Sequence, residues 1–159
     1  LPNVIFLDQI RRKLSRKIVI KFQVHDQILY NGWMNTNDKA LLIEQVSFVN
    51  EAFYLAFESK DIKAMRNIWA EREEIYCLHP GWRPLSGRKE IMESWAAILD
   101  NPSQPQISFD NPKYLWTGEN TIAVICFERS SGQSMIATNI FEKEEERFKM
   151  IFHQSGGCS

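Results

Sequence analysis

Residues 76–95 read YCLHPGWRPLSGRKEIMESW, and the histidine in this stretch, His79, stands before a proline. An imidazole with an ordinary pKa near 6.5 can take up or release a proton close to neutrality, which suits general acid–base chemistry. At a strand end the same ring can instead hydrogen-bond a carbonyl and close the His-Pro turn. Both readings of His79 stay open on sequence alone. A second histidine, His153, lies in RFKMIFHQ. Strict alternation puts Phe148, Met150 and Phe152 on one face of that segment, and Lys149, Ile151 and His153 on the other. Asn139, in SMIATNIF, shares a face with Met135, Ala137 and Phe141. An amide there can orient a ligand carbonyl or hydroxyl, since it both donates and accepts. The bland reading of His153 and Asn139 is a satisfied polar group in a wall. Trp69, Trp82 and Trp95 are a candidate aromatic cage for a flat ligand. Core packing is the commoner fate for Trp69 and Trp95. Trp82, between Gly81 and Arg83, reads as a lid or contact residue. Arg83 and Arg88 flank that loop and can meet an anion, with solvated surface as the default.

No glycine-rich phosphate loop, H-E-x-x-H or G-x-S-x-G elbow occurs in the sequence. The three cysteines, Cys77, Cys126 and Cys158, form no C-x-x-C pair. No cofactor and no metal are therefore expected. Free thiols in a reducing intracellular compartment are the expected state. The chain begins at Leu1, so prior removal of an organelle import segment is a further expectation.

Several elements must position these residues. LLIEQVSFVNEAFYLAFES places Leu42, Val46, Val49, Phe53 and Phe57 at helical spacing. DIKAMRNIWA reads as a short helix with Asp61 as N-cap. EEIYCLHP reads as a strand stopped at Pro80. RKEIMESWAAIL reads as a third helix ending near Asn101-Pro102. Four strands follow, ISFDNPKYLW, TIAVICFE, SMIATNIFE and RFKMIFHQ, separated by short turns that imply antiparallel hairpins. Three helices before a meander predict an α+β fold, with the helices on one face of a curved sheet. Upstream, residues 6–15 fit a short amphipathic helix, 17–30 a strand or hairpin, and 31–39 a loop.

The pieces AFYLAFESKDIKAMRNIW, CLHPGWRPLSGRKEIMESW and ATNIFEKEEERFKMIFHQSG, in that order, resemble the SnoaL-like branch of the nuclear transport factor 2 superfamily. The resemblance covers roughly residues 43–156. It implies a cystatin-like cone: a strongly curved, mostly antiparallel sheet wrapped around three helices, with a pocket inside and a homodimer through the outer sheet face. It favours His153 pointing inward. His79 stands where isomerase relatives carry an acidic base before a proline. Phe53 stands near their oxyanion-binding tyrosine, which places it among the ligand contacts, while Tyr54 lies about 100° further round the helix. The isomerase pattern is thus not met. A dehydratase of the superfamily would pair histidines with a carboxylate and tyrosines. His79 and His153 can be such a pair, but the sequence does not identify the carboxylate.

The chain has 159 residues, 44% hydrophobic and 25% charged, the balance of one globular domain. No apolar run approaches the roughly 20 residues of a membrane helix. The net charge of −1 divides into +4 over residues 1–43 and −5 over the remainder. A basic extension, 1–40, followed by a cone domain, 41–159, is the expected organisation. The basic run RRKLSRK at 11–17 fits docking on an acidic partner, or peripheral contact of residues 11–21 with an anionic membrane. No nucleic-acid motif accompanies it, so a nucleic-acid partner is not expected. The expected function is a non-catalytic scaffold or accessory subunit, a homodimer or part of a larger assembly. It would associate through its sheet, dock through the arm and hold at most a small hydrophobic ligand. The alternative is a cofactor-free lyase or isomerase, with His79 as acid–base and His153 and Asn139 orienting the substrate.

Overall fold

The computed structural model describes residues 36–158. The chain divides into two compact units, Leu1–Lys39 and Ala40–Ser159, and the second carries the sheet and the site. The helix expected over 6–15, the strand or hairpin over 17–30 and the basic run at 11–17 lie outside the described residues.

The first described helix, α1 (Thr36–Glu58), starts inside the stretch expected to be loop. The reason is chemical. Thr, Asn and Asp favour loops, but they also favour helix starts, and Asp38 sits in the first turn where negative charge complements the helix dipole. Along α1, Val46, Asn50, Phe53, Tyr54 and Phe57 are buried on one face. Leu41, Phe48 and Leu55, seven residues apart, are exposed. By length and composition, Asn37–Glu58 is the one stretch among the described residues that could cross a membrane. This departs from the expectation that no run is that apolar. It arises because α1 supplies apolar residues both to the core and to its outer side.

Asp61 caps α2 (Ile62–Ile68), its Oδ1 accepting from the backbone N–H groups of Lys63 at 2.9 Å and Ala64 at 3.0 Å. The far end of α2 is satisfied from α3 (Arg88–Asp100). The Arg88 guanidinium donates to the carbonyls of Arg66, Trp69 and Ala70 at 2.8–3.0 Å. Helix C-termini leave such carbonyls without partners, so Arg88 is a structural tie rather than an anion ligand. Arg83 is likewise engaged, donating to Glu90. Gly87 precedes α3 with φ of +83°, and a Cβ there would stand 2.5 Å from the Glu73 carboxylate, so glycine is required.

Six strands form one sheet in the order β2-β1-β6-β5-β4-β3. They are β1 (Tyr76–Leu78), β2 (Leu85–Ser86), β3 (Ser108–Gly118), β4 (Thr121–Ser130), β5 (Gln133–Glu144) and β6 (Arg147–Gly157). β3 to β6 are successive antiparallel hairpins, as their short turns require. β1 joins β6 in parallel, a pairing that hairpin logic alone does not provide. Bulges bend the sheet: two in the β3–β4 ladder and one in β5–β6. The last changes which residues face inward. Phe141 pairs with Met150 while Ile140 pairs with Phe152, leaving Ile151 as the extra residue. Before it Phe148 and Met150 are buried, and after it His153 and Ser155 are. The strict alternation expected for RFKMIFHQ is therefore wrong: His153 lies on the face of Phe148 and Met150, not opposite it.

The core lies between the helices and this inward face. Trp69, Phe53, Phe141, Met65, Ile75, Ile91 and Ile122 are fully or almost fully buried. The opposite face of the sheet leaves Leu115, Ile125, Phe127 and Ile136 exposed.

Candidate functional site

His79 both closes a turn and faces a cavity. Its carbonyl accepts from the Trp82 N–H at 3.0 Å, with Pro80 and Gly81 (φ +79°) at the two central positions. That is the residue order of a type II turn, where proline presets the second residue and glycine supplies the positive φ of the third. The turn turns the His79 ring inward from the end of β1, against Trp95 (centroids 4.6 Å) and Trp82 (5.0 Å). His153 approaches from β6, its ring 5.1 Å from Phe53 and 6.4 Å from His79. Between them lies a cavity of about 260 Å³, lined by both histidines, Phe53, Tyr54, Trp82, Trp95 and Glu128 among others. A wider groove of about 730 Å³ beside α1 is rimmed by exposed Glu44, Glu146 and Arg147, and it gathers no histidine or buried carboxyl.

The other expected site residues fall differently. Asn139 is completely buried and stands behind His153, its direct partner across the β5–β6 ladder, rather than on the cavity wall. Trp69 is also completely buried but away from the cavity, under the end of α2. Its chain position follows α2 rather than a strand end, so core packing claims it. Among the described residues no three His, Cys, Asp or Glu side chains gather as a metal site.

Of the cavity residues not read from the sequence, two bear most on its chemistry. Glu128 is 2% exposed and is the buried carboxyl of the wall. Its Oε1 accepts from the Tyr54 hydroxyl at 2.8 Å and its Oε2 from the Ser155 hydroxyl at 2.5 Å. The signal was present in β4. Ile122, Val124, Cys126 and Glu128 share the inward parity, and an acid ending an apolar inward series is unusual. Tyr54 was set aside for its 100° offset from Phe53. The buried face of α1 is wide enough for both, and both line the cavity.

The hydrogen-bond network suits one proton placement on each imidazole. The Ser94 hydroxyl donates to the Ile91 carbonyl at 2.8 Å, so its oxygen accepts from His79 Nε2–H at 3.0 Å. His79 Nδ1 then carries a lone pair, with only the Cys77 sulfur near, at 3.8 Å. The Tyr54 hydroxyl donates its hydrogen bond to Glu128, so toward Asn139 Nδ2, at 3.4 Å, it accepts. Asn139 Nδ2 also donates to Asn50 Oδ1 at 2.8 Å. With the amide in this orientation Asn139 Oδ1 accepts from His153 Nδ1–H at 2.6 Å, leaving the lone pair on His153 Nε2. The two rings are opposite tautomers, each with one nitrogen held by the protein.

Burial sets the electrostatics. It pushes the His79 imidazole down to about 4. Burial, and then the neighbouring His79, push His153 down to about 3. Burial raises the Glu128 carboxyl above the usual carboxylate range, outweighing the opposing hydrogen bonds from Ser155 and Tyr54. The Tyr54 phenol is raised by burial and then by Glu128 and Cys126. Burial lifts the Cys77 thiol, with no cation or helix terminus lowering it, so it is no thiolate nucleophile.

With this geometry described, comparison with known proteins places the chain. The fold is a mixed α+β one, a six-stranded curved open sheet with helices. The chain belongs to the SnoaL-like domain family, whose model matches residues 46–156. A candidate dehydratase from the NTF2-like family of Streptomyces avermitilis is 29% identical, with a TM-score of 0.68 over 76% of this chain and 99% of that one. A candidate calcium/calmodulin-dependent protein kinase type II association domain from Thiobacillus denitrificans is 21% identical, with a TM-score of 0.64 over 70% and 93%. A protein with a cystatin-like fold from Caulobacter vibrioides is 9% identical, with a TM-score of 0.65 over 74% and 89%. The last two likenesses concern the fold alone. Among curated proteins, the F-box protein SKIP8 of Arabidopsis thaliana is 22% identical over 127 residues, which is 79% of this chain and 53% of that protein. The chain thus spans about half the length of the curated relative it matches.

The lowered histidine values carry a pH dependence. In the unfolded chain the imidazoles protonate near 6.5, whereas in the folded protein they stay neutral down to about 4 and 3. Their contribution to stability is present above pH 6.5 and is lost as pH falls through 4 and then 3. Glu128 acts in the opposite sense, its contribution being lost as pH rises through its raised folded value. Each proton of difference is worth about 1.4 kcal/mol per pH unit. Urea unfolding free energies should therefore rise between pH 4.5 and 6.5, and less steeply in His79→Asn. Equal slopes in the two proteins would contradict the buried neutral imidazole.

Proposed function

We propose that this SnoaL-like domain is a non-catalytic accessory domain that binds a small organic molecule in its cavity. The observation that carries the reading is the hydrogen-bond assignment. Each imidazole has one nitrogen held by a protein side chain, Ser94 for His79 and Asn139 for His153, and both rings line an aromatic cavity, which suits them to accept from a ligand. The volume, about 260 Å³, lies just below the roughly 300–1,000 Å³ of drug-sized sites, which suits a small ligand. The ordinary work of such a base is disfavoured, because catalysis near neutrality wants a pKa near the operating pH. Burial takes both rings well below that.

A second reading has a specific observation behind it. Glu128 supplies the buried carboxyl that a two-histidine dehydratase chemistry would need, and the 29% identical relative is described as a candidate dehydratase. In that reading His79 is the base of a cofactor-free lyase or isomerase, and Glu128 gives or takes the second proton. Nitrogen-detected NMR separates the two. The binding reading expects His79 as the Nε2–H tautomer and His153 as the Nδ1–H tautomer, both still neutral at pH 5. A midpoint between 6 and 7 for either ring would favour the enzyme.

Association through the sheet is part of the same proposal. Leu115, Ile125, Phe127 and Ile136 lie exposed on the face turned away from the helices, and contiguous apolar surface of this kind marks interaction sites. The F-box relative, of which this chain spans about half, is consistent with a role as one module of a larger protein. Light scattering of the purified chain should give a dimer at micromolar concentration, and Phe127→Asp should shift it toward monomer. A wild-type monomer would remove the association.

A further inference from the structure

We infer that the ligand of this cavity is a small organic ammonium ion on an apolar body. The inference rests on the binding reading above and deepens it by naming the ligand class. The first observation is the imbalance of hydrogen-bonding groups. The lone pairs of His79 Nδ1 and His153 Nε2 lack oxygen or nitrogen partners among the described residues. Gln104, another lining residue, donates its amide N–H to the Phe57 carbonyl, and its Oε1 is buried without a partner. Against these acceptors the cavity-lining residues set one buried donor without a partner, the Trp95 indole N–H. A ligand that only accepts would leave most of these groups unsatisfied, at a cost of about 1–3 kcal/mol each. A ligand rich in N–H donors satisfies them.

The second observation is charge. Glu128 is on the wall, buried, and held only by two hydroxyls. No Lys or Arg lines the cavity, and among the described residues Glu128 joins no ion pair. Buried charges are normally paired, so a cation entering the cavity meets a carboxyl without a counter-charge. The third is the aromatic wall. Phe53, Tyr54, Phe57, Trp82 and Trp95 all line the cavity. Ring faces attract cations, most strongly those of tryptophan, and the attraction grows when water is excluded. Trp82 is 51% exposed and packs edge-on against His79, so it stands at the mouth where a ligand enters.

Three probes of one shape test this with the full chain at pH 7.5: benzylammonium, benzyl alcohol and benzoate, followed by calorimetry. Benzylammonium should bind about tenfold more tightly than the alcohol, and benzoate most weakly. Glu128→Gln should keep the alcohol affinity and remove the preference for the amine. Should Glu128→Gln fail to fold, Trp82→Ala at the exposed mouth decides: it should weaken the amine more than the alcohol. Alcohol binding as tight as the amine in the wild type overturns the ammonium assignment and leaves the binding reading standing. Wild-type preference for the amine that survives both substitutions also overturns it, because the cation would then sit elsewhere. Binding of none of the three at millimolar concentration overturns the assignment and the binding reading together.

Discussion

A carboxyl group inside an apolar cone must be hydrogen-bonded or it destabilises the fold, and the way Glu128 is held organises the polar interior of this domain. Its two oxygens accept hydrogen bonds from the hydroxyls of Tyr54 on α1 and Ser155 on β6. Because the Tyr54 O–H points to Glu128, its oxygen accepts from Asn139. That choice suits the Asn139 amide orientation in which Oδ1 accepts from His153 Nδ1–H, and His153 lines the cavity. Asn50, a second polar residue on the buried face of α1, completes the amide pair. One helix and three strands are thus joined by polar contacts inside a core of otherwise apolar residues. Such networks confer a definite arrangement only when their members are satisfied, and here Asn50 Nδ2 is the buried atom left over.

The apolar scaffold makes this arrangement affordable. Phe53 and Trp95 stack edge to face at 5.4 Å, with Trp95 packed against both histidines and Phe53 against His153. Tyr54 stacks on Phe109 at 4.3 Å, which holds the phenol ring that donates to Glu128. The sheet must bend for these residues to converge, and the bulge at Ile151 does so while turning His153 and Ser155 inward. A single extra residue therefore delivers both a ring and a hydroxyl to the same interior.

Much of this was legible in the sequence, and the parts that were not share a physical cause. Local signals were sufficient for the three helices, the Asp61 cap and the four long strands, since periodicity, capping and turn chemistry act over a few residues. His79 was legible as a strand-end group, and its Pro-Gly turn explains why it is at once a turn residue and a cavity residue. Strand parity placed Asn139 with Ala137 and Phe141, as observed, because β5 alternates without interruption through that stretch. It misplaced His153, because a bulge shifts every residue beyond it and leaves no clear mark in RFKMIFHQ. Trp69 and Trp95 could not be separated by type or spacing, since one fills the core beneath α2 and the other lines the cavity from α3. Glu128 is invisible as a site residue until β4 is known to face the helices with its even-numbered residues. The parallel pairing of β1 with β6 joins residues more than 70 apart, which no local pattern encodes.

The central claim is that Tyr54 and Glu128 act as one unit rather than as two independent buried groups. A double-mutant cycle measures this directly, with urea unfolding of the wild type, Tyr54→Phe, Glu128→Gln and the double variant. The hydrogen-bonded pair predicts a coupling of about 1 kcal/mol, within the roughly 0.5–3 kcal/mol seen for residues in one network. Effects that add to within about 0.3 kcal/mol would contradict it.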